Sequence, residues 1–175
     1  MGTVPFSSIL VLGVGNKLMS DDGVGVRLLE RLEAAGPAIP GVEYVDAGTL
    51  GIVLLPRIQE CGALLILDAA HFGESPGTVR ALTGRDMDSF LRTARCSVHE
   101  IGIRELLDLA RLTDTLPEHR AFVGIQPKTV GWGESLSHEV GAALPAAMAE
   151  AAALLRAWSV APGLETAVPG SDADG

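Results

Sequence analysis

The chain is poor in the residues that build many binding and catalytic surfaces. Of its 175 residues only 4% are aromatic and only two are cysteine. The core therefore has to be aliphatic, made from Val, Leu, Ile and Ala, and that suits a buried parallel sheet flanked by helices. Cys61 and Cys96 form no Cys-x-x-Cys pair, so two buried thiols in a reducing cytoplasm are expected rather than a disulfide or a metal clip. Cations are scarce as well: 13 Lys and Arg stand against 22 Asp and Glu, for a net charge of −9. Nucleic-acid binding rests on neutralising phosphates, so that class of partner is excluded. No run of about 18 uncharged apolar residues exists, so no membrane span is expected. Met1 to Ser8 has no basic segment ahead of its apolar stretch and does not read as a secretion signal. Phe6 occupies the position where a myristoylation pattern needs Ser or Thr.

What is abundant is glycine, 21 residues, and aliphatic side chains within a hydrophobic fraction of 47%. Ser8 to Gly13 is a short apolar run ending in glycine and predicts a buried strand. A loop, Val14 to Asp21, leads into a helix expected over Asp22 to Ala35, where Val24, Leu28 and Leu32 share one face. Val42 to Asp46 predicts a second strand, and Thr49 to Glu60 a helix kinked or shortened by Pro56. Ala63 to Leu67 is a third strand with Asp68 at its carboxyl end. Gly77 to Leu82 reads as an edge strand, since Pro76 and Arg80 suit no central one. Ser97 and Glu100 match a capping box, opening a helix with Ile103, Leu106, Leu107 and Ala110 on one side. Ala121 to Ile125 is a further strand stopped by Gln126-Pro127, and an Ala-rich helix is expected over Ser137 to Trp158. This alternation implies an α/β fold: three layers, a doubly wound, mostly parallel twisted sheet with helices on both faces. One domain over residues 1–160 is expected, followed by a disordered tail over 161–175, where Pro, Gly and acids dominate.

Several chemistries fail on a missing residue. Gly13-Val14-Gly15 begins a dinucleotide fingerprint, but Leu18 stands in place of the third glycine. Without it the helix is not expected to approach the strand closely, and Asp21 and Asp22 sit where a pyrophosphate would need positive potential. No P-loop pattern occurs. Gly73-Glu74-Ser75-Pro76-Gly77 fits the hydrolase elbow in letters only, because Pro76 lacks the N–H that an oxyanion hole takes from that position. A surface turn is expected there. The zinc-protease pattern His-Glu-x-x-His is absent.

In doubly wound sheets, function collects beyond the carboxyl ends of the strands. The Gly13–Asp22 loop, Asp68 and the Gln126-Pro127 loop all fall at that edge, and His99, in the first turn of a helix, can reach it. Singly, each residue has an ordinary explanation. Acids in a helix's first turn complement the macrodipole, Asp68 could cap a turn over Ala69-Ala70-His71, and His99 could be an exposed helix-start residue. Together, Asp22, Asp68 and His99 make an open set of oxygen and nitrogen ligands on an exposed rim. Such a set suits a borderline divalent ion such as Ni²⁺ or Zn²⁺, with positions left for water or substrate. His71, three residues past Asp68, is the rival histidine.

The stretch Ile9-Leu-Val-Leu-Gly-Val-Gly-Asn-Lys-Leu-Met-Ser-Asp-Asp-Gly-Val-Gly-Val-Arg27 resembles the maturation endopeptidases of nickel–iron hydrogenases. Asp46-Ala-Gly-Thr49, Leu67-Asp68-Ala69, Ser97-Val-His99 and Gly124-Ile-Gln-Pro127 follow in that family's order, so the resemblance covers roughly Ile9 to Trp158. It implies a cytoplasmic hydrolase that removes the C-terminal extension of a hydrogenase large-subunit precursor by one peptide cut, after nickel is installed. The family's metal-binding residues fall on Asp22, Asp68 and His99; some relatives carry Glu where this chain has Asp22. Asn16 and Thr49 match positions near the site. A three-ligand site makes sense if nickel arrives with the substrate. Two other readings stay open on the residues alone, another metal-dependent hydrolase on this scaffold and a nickel-checking chaperone that cuts nothing.

Overall fold

The computed structural model describes residues 8–48, 51–93 and 98–160, with 98–101 described by backbone alone. Five strands form one sheet: β1 (Ile9–Val14), β2 (Val42–Gly48), β3 (Ala63–Ala69), β4 (Val79–Thr83) and β5 (His119–Ile125). Their spatial order is β2-β1-β3-β5-β4. All neighbours run parallel except β4, which lies antiparallel on β5 at the edge, in keeping with Pro76 and Arg80. The expected doubly wound, mostly parallel architecture is what is found.

The period-two alternation of the central strands divides the core. Ile9, Val11, Ala63, Leu65, Leu67, Ala121 and Val123 face α1 (Val24–Ala35) and α5 (His138–Ser159). Leu10, Leu12, Leu64, Ile66 and Phe122 face the opposite side, covered by α2 (Leu55–Glu60), α3 (Gly84–Thr93) and α4 (Val98–Leu112). Both faces are apolar because both are covered, which is why these strands are continuous hydrophobic runs. Each fully buried Leu among them contributes about 1.5–3 kcal/mol relative to exposure. By length and composition α5 could cross a bilayer, with a mean hydropathy of 1.3 over its best window. Its apolar stripe, Val140, Leu144, Ala147, Ala151 and Leu155, is packed into the core instead.

Three local expectations are corrected and one is narrowed. The helix after β1 starts two residues later, at Val24, and Ser20–Gly23 form a separate 3-10 turn. Pro56 shortens the helix rather than kinking it: α2 runs only Leu55–Glu60, with Pro56 in its first turn, where its missing N–H costs nothing, and a 3-10 turn, Ile52–Leu54, precedes it. Helix α3 is an addition to the expected elements: only Met87 and Leu91 of its ten residues are fully buried, too few to mark a period. Finally, α1 does approach the sheet closely without the third fingerprint glycine. A Cβ on Gly25 would overlap the carbonyl oxygens of Val14 and Leu67, so this glycine, further along the chain, permits the contact. Ser97, Cys96, Thr49 and the tail 161–175 lie outside the described residues.

Candidate active site

The strand order reverses between β1 and β3, since the chain goes from β1 outward to β2 and then returns to β3 on the other side. The carboxyl ends of β1 and β3 therefore flank the switch-point crevice. After β1 the chain turns sharply at Gly15, whose φ of +117° is open to glycine, and a Cβ there would overlap the carbonyl oxygen of Asp22. The loop is thereby folded back on itself, and Asp22 is returned to the end of the strand it followed. Asp68 enters from the other side as the second-last residue of β3, paired in register with Gly124 of β5. The next helix begins only at Gly84, so Asp68 caps no helix.

Both acids are more buried than an exposed rim implies. Asp68 is 1% exposed and Asp22 9%. The Asn16 backbone N–H donates to Asp22 Oδ2 at 2.9 Å, and the Ala69 N–H to Asp68 Oδ1 at 2.7 Å. Asn16 shapes the loop in turn, its Oδ1 accepting the Leu18 N–H at 3.0 Å. The backbone of His99 lies in the first turn of α4 as expected, and its side chain lies outside the described residues. Among the described residues no three His, Cys, Asp or Glu side chains form a metal cluster. The rival His71 is exposed, with Nδ1 3.5 Å from Gln126 Nε2.

Two polar residues of this edge carry more structure than their sequence context suggests. Asp21 is fully buried. Its Oδ2 accepts the N–H groups of Lys128 and Thr129, both at 2.9 Å, and the Ser137 hydroxyl at 2.8 Å. Its Oδ1 accepts the Ser137 N–H at 2.7 Å. Burial alone would raise the pKa of this carboxyl, but the N–H groups of Thr129, Ser137 and Lys128 and the Ser137 hydroxyl outweigh it and hold the value below the usual range. Gln126, also buried, accepts the Phe72 N–H on Oε1 at 2.8 Å and so anchors the loop after β3. Neither role has a strong local signal. The only hint for Asp21 is a second acid in a glycine-rich turn, and its partners are more than 100 residues away.

A cleft of about 390 Å³ opens beside the crevice, lined by Asn16, Lys17, Leu18, Val26 and the exposed Asp46. A bulge at the end of β2, where Gly13 pairs Asp46 but Val14 pairs Gly48, shapes its wall. Neither alternative nucleophile among the described residues fits. Ser75 sits in an exposed turn, where the Thr78 N–H donates to its carbonyl. Cys61 is a buried free thiol that burial pushes up to about 12, so thiolate is scarce at neutral pH.

Comparison with known proteins agrees with this geometry. The chain is 36% identical over 153 residues to the hydrogenase expression/formation protein HupD of Rhodobacter capsulatus, spanning 87% of this chain and 73% of that one. It is 34% identical over 149 residues to the hydrogenase 2 maturation protease of Escherichia coli K12, spanning 85% and 90%. The solved structure of the hydrogenase-maturating endopeptidase HybD from E. coli superposes with a TM-score of 0.81 at 33% identity, covering 86% of this chain and 93% of that one. The model of the HycI hydrogenase maturation proteases matches residues 26–154, which include Asp68 and His99 and begin just after Asp22. By these matches, and by a fold that sets two buried acids at the switch point, the chain belongs to the hydrogenase maturation protease family.

Proposed function

We propose that this endopeptidase removes the C-terminal extension of a nickel–iron hydrogenase large-subunit precursor once nickel is in place, and that Asp22, Asp68 and His99 read the nickel. The observation that carries this is the placement of Asp22 and Asp68, two buried carboxylates delivered to one crevice from two separate chain segments. Carboxylate oxygens on rigid elements, joined by an imidazole, form a donor set that fits a borderline divalent ion, with Zn²⁺ as a substitute for Ni²⁺. Bound there, the ion would act as a Lewis acid toward the scissile carbonyl. Because these residues supply only part of a coordination shell, nickel is best understood as cargo that arrives with the precursor. The precursor's own ligands then complete the shell.

The chain's own groups can carry the hydrolysis. Water adds its oxygen to the carbonyl carbon, a carboxylate takes the proton, and the same group returns it to the leaving nitrogen as the C–N bond breaks. The products are a new carboxyl terminus on the large subunit and a free extension peptide. We place this processing in the cytoplasm, where a chain whose two cysteines stand far apart in sequence would keep them as thiols.

The test weighs intact precursor, made with and without nickel, before and after incubation with this protein. Loss of the extension only from the loaded form is the expected result. Equal loss from both would remove nickel from the reaction, and no loss from either would favour a nickel-checking chaperone.

A further inference from the structure

Asp21 accepts four hydrogen bonds at the functional edge, yet hydrolysis gives it nothing to do. Its four hydrogen bonds all run to one distant segment, residues 128–137, which links β5 to α5. That segment is laid directly on the loop before Asp22. The Asp21 N–H donates to the Thr129 carbonyl at 3.1 Å, the Ser20 N–H to Gly133 at 2.6 Å, and the Gly133 N–H to Leu18 at 2.9 Å. The Ser20 hydroxyl reaches the Gly131 carbonyl at 3.0 Å. Ser137 is the N-cap residue of α5, but its side chain makes no cap bond to that helix and is spent on Asp21 instead. Burying a carboxylate is costly unless its lone pairs are met, and here backbone donors from a single segment meet them. Segment 128–137 has few buried side chains of its own to hold it, and Trp132 stands 85% exposed on it.

We infer that Asp21 is a positioning residue: it pins segment 128–137 to the 3-10 turn and thereby fixes where Asp22 stands. This rests on the reading of Asp22 as a site ligand. An amide cannot replace this carboxylate. Whichever way the side chain turns after Asp21→Asn, its NH₂ group faces an N–H donor, Ser137 on one side or Lys128 and Thr129 on the other. Both the segment and the turn then loosen together, and a misplacement near 1 Å at a reacting group costs about a hundredfold in rate.

The experiment uses full-length protein in a Trp158→Phe background, so that Trp132 is the only indole. Three variants are compared: Asp21→Asn, Ser137→Ala and Ile58→Ala. The last removes a buried side chain of α2 and serves as a destabilised control remote from the pin. The readouts are melting temperature, Trp132 fluorescence anisotropy without substrate, and processing rate on nickel-loaded precursor. Asp21→Asn is expected to lower the anisotropy and slow processing by about a hundredfold. Ser137→Ala, which removes one bond of the four, should lower both in the same direction by about tenfold in rate. Ile58→Ala should melt lower while keeping the anisotropy and processing within about twofold of the parent. Unchanged anisotropy in Asp21→Asn, or equal slowing in Ile58→Ala, would make Asp21 a plain stabilising residue and overturn the inference. Should Asp21→Asn fail to fold, unchanged anisotropy and rate in Ser137→Ala overturn it equally. Asp22→Asn is run alongside: normal processing by that variant removes the reading of Asp22, whereas its inactivity beside a fully active Asp21→Asn removes only the pin.

Discussion

The two edges of the sheet hold their acids by opposite means. At the amino edge, where β5 begins, Asp88 of α3 meets Arg120 through two bonds of 3.0 and 2.7 Å, and Arg111 of α4 adds a contact at 3.3 Å. At the carboxyl edge Asp21 is satisfied by three backbone N–H groups and a hydroxyl, and Asp22 and Asp68 are buried beside it. Arginine cations meet Asp88 at the first edge, and backbone donors meet Asp21 at the second. Buried charge of this kind costs stability and is retained where function needs it.

The sharpest way to break this comparison is to neutralise each edge in turn. Asp22→Asn, Asp68→Asn and His99→Ala should each slow precursor processing by about 10²–10⁴-fold. The two amide variants should still fold, because an amide has nearly the shape of the carboxylate and keeps one oxygen to accept the Asn16 or Ala69 N–H. Intact-mass kinetics and a thermal melt check both halves. A fully active Asp68→Asn protein, or one that no longer folds, would mean that this edge is merely structural.

The amino edge should respond the other way round. Asp88→Asn removes the partner of Arg120, and both side chains are mostly buried, 14% and 13% exposed. Stripping one member of such a pair leaves the other charge uncompensated, at about 2 kcal/mol here, somewhat below the range for fully buried pairs. Urea titration should register that loss while processing of loaded precursor stays at the parent rate. Impaired processing in a variant that folds well would show the two edges to be coupled through the sheet.

How much of this is legible in the sequence follows from the range of the interactions. The strands are, because continuous apolar runs bounded by Gly and Pro are local signals, and the antiparallel edge is marked by Pro76 and Arg80. Asp68 stands out because a lone acid closing an aliphatic run has no packing explanation. Asp21 passes for a macrodipole acid because its role depends on Lys128, Thr129 and Ser137, which no local pattern connects to it. The burial of Asp22 is hidden for a similar reason: it depends on the fold-back at Gly15, and on Gly25 bringing α1 against the sheet. Ordering of segments by glycine contacts is a tertiary fact, and only the presence of the glycines is written in the chain.

The smallest expected effect separates the two edges by salt and acid. Asp21 and Asp88 both have carboxyls held below the ordinary range against the opposing pull of burial, by backbone donors in one case and by Arg120, Arg111 and Arg92 in the other. A depressed folded-state pKa means that the folded protein resists protonation more than the unfolded chain does. The resulting stability is fully present above the ordinary Asp value of about 3.9 and is lost as pH falls below it through the folded value. Both Asp21→Asn and Asp88→Asn should therefore flatten the acid limb of a stability–pH curve while leaving its shape near neutrality unchanged. Salt tells them apart. The Debye length shrinks from about 10 Å at 0.1 M to about 3 Å at 1 M, which weakens the attraction between Asp88 and its three arginines. Direct hydrogen bonds to a fully buried carboxylate are short-range and hardly screened. Measured by urea titration between pH 7 and 3, the difference between parent and Asp88→Asn should shrink at 1 M NaCl. The difference between parent and Asp21→Asn should persist. If both differences shrink together, Asp21 is held by long-range field rather than by its backbone donors, and the contrast between the edges is lost.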